Sequence, residues 1–349
     1  MCILHVTRHP SISRLIRSLL YRGKPTLARY TNHAEGVVYK KQLGTYFVRT
    51  PDGEIVCSIS SRLRKELIYP IADRSSIGHH RVQKVDDIHM IDPVAIGDCV
   101  QFVVADDGPG MITEVLPRRN KLARTAAGVK QLEQIIAANV DQLVTVFAAL
   151  LPAPHWNLLD RYLVTAEEAE IPPLIVMTKL DLVEPGTFDA VLDEYRALGY
   201  NVVLTSTATG QGIDELRAAL GGKTSVLIGK SGVGKTSLLN AIQPGLGLRV
   251  GEVSKALKKG KHTTTHVEMI DLENDGYIVD TPGMREFSTW NIDNGDLALY
   301  FREMQPFVGS CRFGLDCTHR TEPGCAILKA VGAGHISERR YHSYARMLE

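Results

Sequence analysis

The chain has almost no net charge and no long apolar run. Its 349 residues carry a formal charge of +1, so the molecule as a whole is not a polycation that binds nucleic acid indiscriminately. No apolar stretch approaches the roughly 18 residues that a membrane-spanning helix needs, so we expect no membrane partner. Internal repeats and low-complexity tracts are missing too. The length then indicates two or three globular domains.

Cysteines are too few for a disulfide-stabilised fold, because there are six in the chain and three of them are scattered. The other three surround a histidine in the pattern C-x₅-C-x-H-x₅-C. Three thiolates and one imidazole complete a tetrahedral zinc site with no open position, which is typical of a structural metal. We therefore predict one Zn²⁺ in a reducing, cytoplasmic compartment; the alternative is free thiols beside a surface histidine. The predicted ligands are Cys311, Cys317, His319 and Cys325.

The charges are nevertheless unevenly distributed. Residues 1–34 contain six Arg or Lys and no acid, and residues 115–132 contain five and no acid. Such blocks are solvated faces or contacts for phosphate backbones. We interpret the first block as a basic N-terminal arm, disordered or helical, with an organelle transit peptide as the alternative.

Two kinds of hydrophobic pattern divide the rest of the chain. Short runs rich in Val, Ile, Tyr and Phe, separated by Gly and Pro turns, favour a small β-barrel of the OB-fold type, although a small β-sandwich has the same pattern. Apolar strands that alternate with helices then indicate a mostly parallel α/β sheet. The predicted segments are a basic extension (1–34), the OB-fold (35–115), a basic linker (116–133), the α/β domain (134–294) and a helical zinc module (295–349).

A phosphate-binding loop, G-K-S-G-V-G-K-T, occupies residues 229–236 between an apolar strand and a helix. In that setting, backbone N–H groups surround phosphates, Lys235 reaches the β- and γ-phosphates and Thr236 ligates Mg²⁺. The alternative is a glycine turn with a surface lysine. The loop residues expected to contact the nucleotide are Gly229, Lys230, Ser231, Gly232, Val233, Gly234, Lys235, Thr236 and Ser237.

Two further stretches have the chemistry to sense a γ-phosphate. The motif D-T-P-G begins at Asp280, whose carboxylate can reach the Mg²⁺ shell, and ends at Gly283, whose N–H can meet the phosphate. The stretch G-K-H-T-T-T, residues 260–265, offers a hydroxyl to Mg²⁺ from Thr265 or its neighbour Thr264. A methionine follows Gly283 where many GTPases have the glutamine that orients water, so His262 is a candidate for that role. The alternative is that His262 is a surface histidine.

A guanine-reading motif, T-K-L-D, precedes the phosphate loop. The carboxylate of Asp181 can accept hydrogen bonds from N1–H and the 2-amino group of guanine, a pair that adenine lacks. Lys179 can lie over the loop, with Thr178 and Leu180 beside it, and Ser206 is a candidate anchor beneath the base. Thr178 stands where asparagine is usual, so ATP remains an alternative nucleotide.

In most G-domains the phosphate loop comes first and the base-reading motif follows D-T-P-G, so the order of motifs here is permuted. With this order, the chain resembles the bacterial family of ribosome small-subunit-dependent GTPase A (RsgA/YjeQ). The resemblance also rests on the stretches L-P-R-R-N (116–120) and T-H-R-T-E-P-G-C-A-I (318–327). The resemblance covers about residues 35–347. It implies an OB-fold, a permuted GTPase domain, a zinc module, and GTP hydrolysis stimulated by the 30S subunit during its late maturation, with 16S rRNA, GTP and GDP as partners of a monomer. It also implies a compensating switch histidine, which His262 matches.

Two other functional classes compete with this interpretation. A small-molecule kinase or NTPase would need an acceptor pocket and a base, and neither has a signature here. A non-hydrolysing RNA scaffold would not need complete phosphate and Mg²⁺ motifs. The permuted order also places the zinc module directly after D-T-P-G, which favours that module as the element moved by γ-phosphate occupancy.

Overall fold

The computed structural model describes residues 32–42, 44–68, 92–104, 108–125, 133–246, 267–280 and 295–349. Among these residues no helix is both long and apolar enough to cross a bilayer. They form a β-barrel, an α/β domain and a C-terminal module, in chain order.

The N-terminal unit is a closed five-stranded barrel. The strands follow the spatial order β1-β2-β3-β5-β4, and β4 pairs back onto β1. Strands β3 and β5 are parallel, with Cys57 opposite Gly110. Closure and this order confirm the OB-fold prediction over a sandwich. The elements are β1 Asn32–Gln42, β2 Thr45–Thr50, β3 Gly53–Ile59, α1 Ser61–Ile68, β4 Cys99–Val104 and β5 Gly110–Val115.

The segment predicted to be a basic linker contains a β-strand. β6 (Lys121–Thr125) pairs antiparallel with β7 (Glu133–Ala138). Two cations of this segment are engaged within the protein. Arg118 forms a bidentate ion pair with the buried carboxylate of Asp98, both N–O distances being 2.7 Å. Arg119 meets Asp141 at 2.6 Å. The segment is therefore a folded connection and not a plain linker, and these two arginines neutralise acids of the same chain.

The α/β domain has the strand order β10-β9-β8-β11-β13-β12, and every neighbouring pair is parallel except β13 with β12. Helices cover both faces, so β8 is buried along its whole length. The predicted alternation of apolar strands and helices is present. The elements are β8 Gln142–Ala148, α2 Trp156–Glu168, β9 Pro173–Thr178, α3 Asp189–Ala197, β10 Asn201–Leu204, α4 Ile213–Leu220, β11 Thr224–Ile228, α5 Lys235–Ile242, β12 Val267–Asp271 and β13 Tyr277–Asp280, with 3₁₀ turns at Leu180–Leu182 and Pro244–Leu246.

The C-terminal module is small and packs on helix α2. Its core includes Phe301, Met304, Ile327 and Tyr344, and Val164 of α2 belongs to the same apolar cluster. The elements are 3₁₀ turns at Leu297–Tyr300, Gln305–Phe307 and Gly314–Asp316 and the helices α6 Ala326–Gly332 and α7 Glu338–Met347.

A buried ion-pair network fastens this module to the α/β domain. Arg340 of α7 is 1% exposed, and its guanidinium donates to Asp160 of α2 at 2.6 Å and to both carboxylate oxygens of Glu303 at 2.7 and 3.1 Å. Tyr195 of α3 donates to the same Asp160 at 2.6 Å and accepts from Arg339 at 2.8 Å. Charged groups are rarely buried unless they are paired this completely, so the contact is specific.

Candidate nucleotide site and metal cluster

The nucleotide motifs predicted from the sequence meet at one edge of the α/β sheet. The T-K-L-D motif begins at the last residue of β9, Ser206 follows β10, the phosphate loop follows β11 and Asp280 ends β13. Because these strands are parallel, their carboxyl ends share the edge at which open α/β sheets bind ligands.

The phosphate loop has the backbone that its glycines predict. Gly229 has φ of 156°, and a Cβ there would lie 2.3 Å from the carbonyl oxygen of Val146, so no other residue fits. Gly234, at φ 95°, leads into α5. The ammonium group of Lys235 donates to the carbonyls of Gly229 at 2.5 Å and Lys230 at 3.1 Å, so it lies inside the loop. Thr236 and Ser237 form the first turn of α5.

Lys179 lies across the phosphate loop, as predicted. Its backbone has φ of 59°, and its ammonium group donates to the carbonyl oxygen of Gly232 at 2.7 Å and also to that of Leu151. The loop that carries Leu151 directly follows β8 and was not among the predicted site residues. The available signal was the run A-L-L-P (149–152) after an apolar strand, and in the structure Leu151 is 69% exposed.

Thr178 joins the base-reading strand to the phosphate loop. Its side chain is buried, and its hydroxyl lies 2.6 Å from the carbonyl oxygen of Val233 and 3.2 Å from that of Phe147. A hydroxyl has one hydrogen to donate, and the shorter distance assigns it to Val233. An asparagine amide would offer a second donor and an acceptor. Threonine makes the hydrogen bond to the phosphate loop, but it has fewer hydrogen-bonding groups left for the base.

Ser206 holds the carboxylate of Asp181. The Ser206 hydroxyl is fully buried, donates to Asp181 at 2.5 Å and accepts from the backbone N–H of Thr209 at 3.2 Å. One Asp181 oxygen is thereby fixed while the residue stays exposed to an incoming base. The prediction placed Ser206 beneath the base, and its contact in the structure is with Asp181, the predicted base-reading residue.

The remaining switch residues cannot be located in the same way. His262, Thr264, Thr265 and Gly283 lie outside the described residues, and Asp280 is described only as the last residue of β13. Their assignments stay predictions.

The four predicted metal ligands converge in the C-terminal module. Their ligand atoms lie within 4.8 Å of one another, and all four residues are buried. The Sγ atoms of Cys311 and Cys325 are 3.8 Å apart, and each lies 3.5 Å from Nδ1 of His319. A tetrahedron with metal–sulfur bonds of about 2.3 Å has edges of about 3.8 Å, so this donor set fits a tetrahedral metal ion.

Glu322 organises the turn that carries the histidine ligand. His319 has φ of 58°, an uncommon conformation for a non-glycine residue. The Glu322 carboxylate accepts from the hydroxyl and backbone N–H of Thr318, and from the N–H groups of Arg320 at 2.8 Å and Thr321 at 3.0 Å. These bonds, the Thr318 hydroxyl first, lower the pKa of Glu322 to about 2. No sequence motif marks this role, although the acid lies between the predicted ligands His319 and Cys325.

Comparison with known proteins agrees with this arrangement over nearly the whole chain. The sequence model of the family described as RsgA GTPase matches residues 115–290. The chain is 40% identical over 322 residues to the small ribosomal subunit biogenesis GTPase RsgA of Gemmatimonas aurantiaca, which covers 91% of this chain and 97% of the relative. It is 44% identical over 255 residues to the protein of the same name from Pseudomonas aeruginosa, over 72% of this chain and 74% of that one.

Solved structures give the same result. The crystal structure of YjeQ from Thermotoga maritima superposes with a TM-score of 0.67 and 30% identity, over 91% of this chain and 98% of that one. YloQ, described as a circularly permuted GTPase, superposes with a TM-score of 0.63 and 30% identity, over 91% and 95%. Sequence, motif order and fold agree, and the chain belongs to the RsgA family of GTPases.

Proposed function

We propose that this GTPase acts in the late maturation of the small ribosomal subunit, where it binds 16S rRNA and hydrolyses GTP to GDP and phosphate, as a monomer in the cytoplasm. The observation that carries the proposal is the joint presence of a complete phosphate loop, an OB-type barrel and a metal-binding module in a chain whose relatives are named for small-subunit biogenesis. OB-folds bind oligonucleotides through their loops and sheet face.

The residues of the nucleotide site divide the recognition of GTP between them. Asp181, fixed by Ser206, accepts from N1–H and the 2-amino group of guanine. The N–H groups of the phosphate loop surround the phosphates, and Lys235 turns from loop carbonyls towards them. Thr236, Asp280 and Thr265 would hold Mg²⁺, which neutralises phosphate charge when bound. Gly283 donates its N–H to the γ-phosphate and His262 orients water.

RNA contacts are better assigned to the barrel and the metal module than to the connecting segment. Arg118 and Arg119 of that segment already pair with Asp98 and Asp141. In the metal module, by contrast, the exposed residues Arg312 and Arg320 lie beside the metal ligands. A structural Zn²⁺, held by the three cysteines and His319, would fix the loop that presents them.

The proposal is tested by measuring GTP and ATP hydrolysis with and without purified 30S subunits. We expect turnover specific to GTP, accelerated at least about tenfold by 30S subunits, and abolished by Lys235→Ala. Lys223→Ala, which changes a lysine one strand before the loop, serves as the control. Turnover that is indifferent to 30S subunits but fast on a small acceptor would favour the kinase alternative.

Exchanging the base-reading acid for its amide should change which purine is bound. In Asp181→Asn, we expect GTP affinity to fall by about 100-fold or more, because a buried donor of guanine loses its acceptor. Xanthosine triphosphate has a carbonyl in place of the 2-amino group, so the new amide should bind it better than the native carboxylate does. Fluorescence titration with both nucleotides checks this, with Asp189→Asn as the matched control. Equal GTP affinity in the variant and the native protein would remove Asp181 from base recognition.

A further inference from the structure

The hairpin formed by β12 and β13 connects the two stretches that sense the γ-phosphate. Residues 260–265 precede β12, and D-T-P-G begins at the end of β13. β12 is also paired antiparallel with β1, so the barrel and the α/β domain share one eleven-stranded sheet. The hairpin is therefore held on one side by the phosphate-loop strand and on the other by the barrel.

The end of the hairpin nearest the nucleotide carries an ion pair to the barrel. Lys40 of β1 is the strand partner of Glu268 in β12, and Glu268 is the partner of Asp280 in β13. The ammonium group of Lys40 lies 3.2 Å from the Glu268 carboxylate. Neighbouring strands are about 4.8 Å apart, so two strand spacings, about 10 Å, separate the Lys40 backbone from that of Asp280.

The turn end of the hairpin is fastened as well. Arg49 of β2 is 9% exposed and donates to both carboxylate oxygens of Asp271, at 2.7 and 3.1 Å. Its guanidinium also stacks on Tyr39 of the barrel, 4.5 Å from the ring centroid, and approaches Tyr277 of β13 at 5.9 Å. A bidentate arginine with aromatic contacts holds geometry better than a single surface pair. The hairpin therefore has little freedom to move independently of the barrel.

We propose that Lys40, a residue of the barrel, is a positioning residue for GTP hydrolysis: through Glu268 it sets the register and tilt of the hairpin that presents Asp280 to the nucleotide. The inference rests on the role proposed above for Asp280. RNA bound at the barrel would then be connected to the reacting phosphate through β12 and β13. Lys40 lies in the barrel and belongs to none of the nucleotide motifs, so we expect its effect on turnover and not on nucleotide binding.

The test is charge reversal within this row of strand partners. Lys40→Glu places like charges on facing strands, which is destabilising at that point. We expect kcat, normalised to the number of GDP-binding sites, to fall about tenfold, while the Kd for GDP stays within about twofold. Lys41→Glu is the matched control, because Lys41 is the next residue of the strand and its side chain pairs with Asp92 inside the barrel. Lys40→Gln serves as the milder variant if Lys40→Glu is poorly folded.

The double variant Lys40→Glu, Glu268→Lys restores opposite charges and should recover kcat to within about threefold of the native value. A kcat for Lys40→Glu equal to that of Lys41→Glu, or no recovery in the double variant, would overturn the inference. The variant Asp280→Asn tests the proposed role of Asp280 separately from that of Lys40. If Asp280→Asn leaves kcat unchanged, the proposed role of Asp280 fails; if it lowers kcat while Lys40→Glu matches its control, only the positioning role of Lys40 fails.

Discussion

Replacing Arg340 by methionine should lower the free energy of unfolding by about 3–5 kcal/mol, because the change removes the cation that pairs with two buried carboxylates and leaves Asp160 only its longer pair with Arg339, at 3.5 Å. Asp160 is fully buried and the Glu303 side chain is only 5% exposed. Burial alone would lower the pKa of Arg340, but Asp160 and Glu303 more than offset this and hold it well above its usual value. Methionine keeps the length of the side chain, so the expected loss is mainly electrostatic. Thermal and urea unfolding measure it.

Two comparisons identify the cause of the Arg340 effect. Arg346→Met removes an exposed arginine from the same helix and should change stability by less than about 0.5 kcal/mol. The triple variant Arg340→Met, Asp160→Asn, Glu303→Gln removes the stranded charges with the cation and should recover most of the loss. If Arg340→Met were no less stable than Arg346→Met, the ion-pair network would not stabilise the docking of the C-terminal module on the α/β domain.

The same network bears on the coupling between the module and the γ-phosphate that chain connectivity predicts, which stays a hypothesis. The module follows D-T-P-G in the sequence, which favoured it as the element moved by γ-phosphate occupancy. In the structure it is fastened through Asp160 and Tyr195 to α2 and α3, which connect β8, β9 and β10. The hairpin lies at the opposite edge of that sheet and is bound to the barrel. Contacts between residues far apart in sequence therefore join the hairpin to the barrel and the module to α2 and α3.

Local patterns in the sequence predicted the elements well, and for physical reasons. Strands β8, β9 and β11 are largely apolar because both faces of a parallel sheet are covered, and the phosphate loop has glycines where φ is positive. The cluster of three cysteines and a histidine was predictable because its four residues lie within fifteen residues of sequence and have few other uses together. Each of these signals lies within one element or one loop.

Features that depend on distant partners were not predictable. Strand β6 was predicted to be part of a linker because its charged residues, such as Arg124 and Lys121, interrupt the alternation of apolar and polar residues that marks a strand. Its pairing with β7 stabilises the strand instead. The ion pair between Lys40 and Glu268 joins residues 228 positions apart, and neither has a local signature. The contact of Lys179 with Leu151 likewise depends on β8 and β9 being neighbours.

Removing the metal should unfold the C-terminal module while the nucleotide site survives. A closed tetrahedral site of this type contributes about 10–16 kcal/mol, more than the packing of so small a unit supplies. Cys325 is the N-cap of α6 and Cys311 accepts from the N–H of Ala326, so losing the ion releases both the loop and the start of the helix. A strong zinc chelator, with excess Mg²⁺ present, should expose the module to trypsin.

The variants Cys311→Ser and Cys99→Ser make this a matched experiment. Cys311→Ser should reproduce the effect of the chelator, and Cys99→Ser, in the barrel, should not. Because the unfolded module no longer supplies Arg340, Asp160 loses its cation, so the α/β domain should also melt at a lower temperature although it still binds GDP. A module that stayed resistant to trypsin after measured loss of the metal would show that its apolar core, centred on Phe301 and Tyr344, is sufficient without an ion.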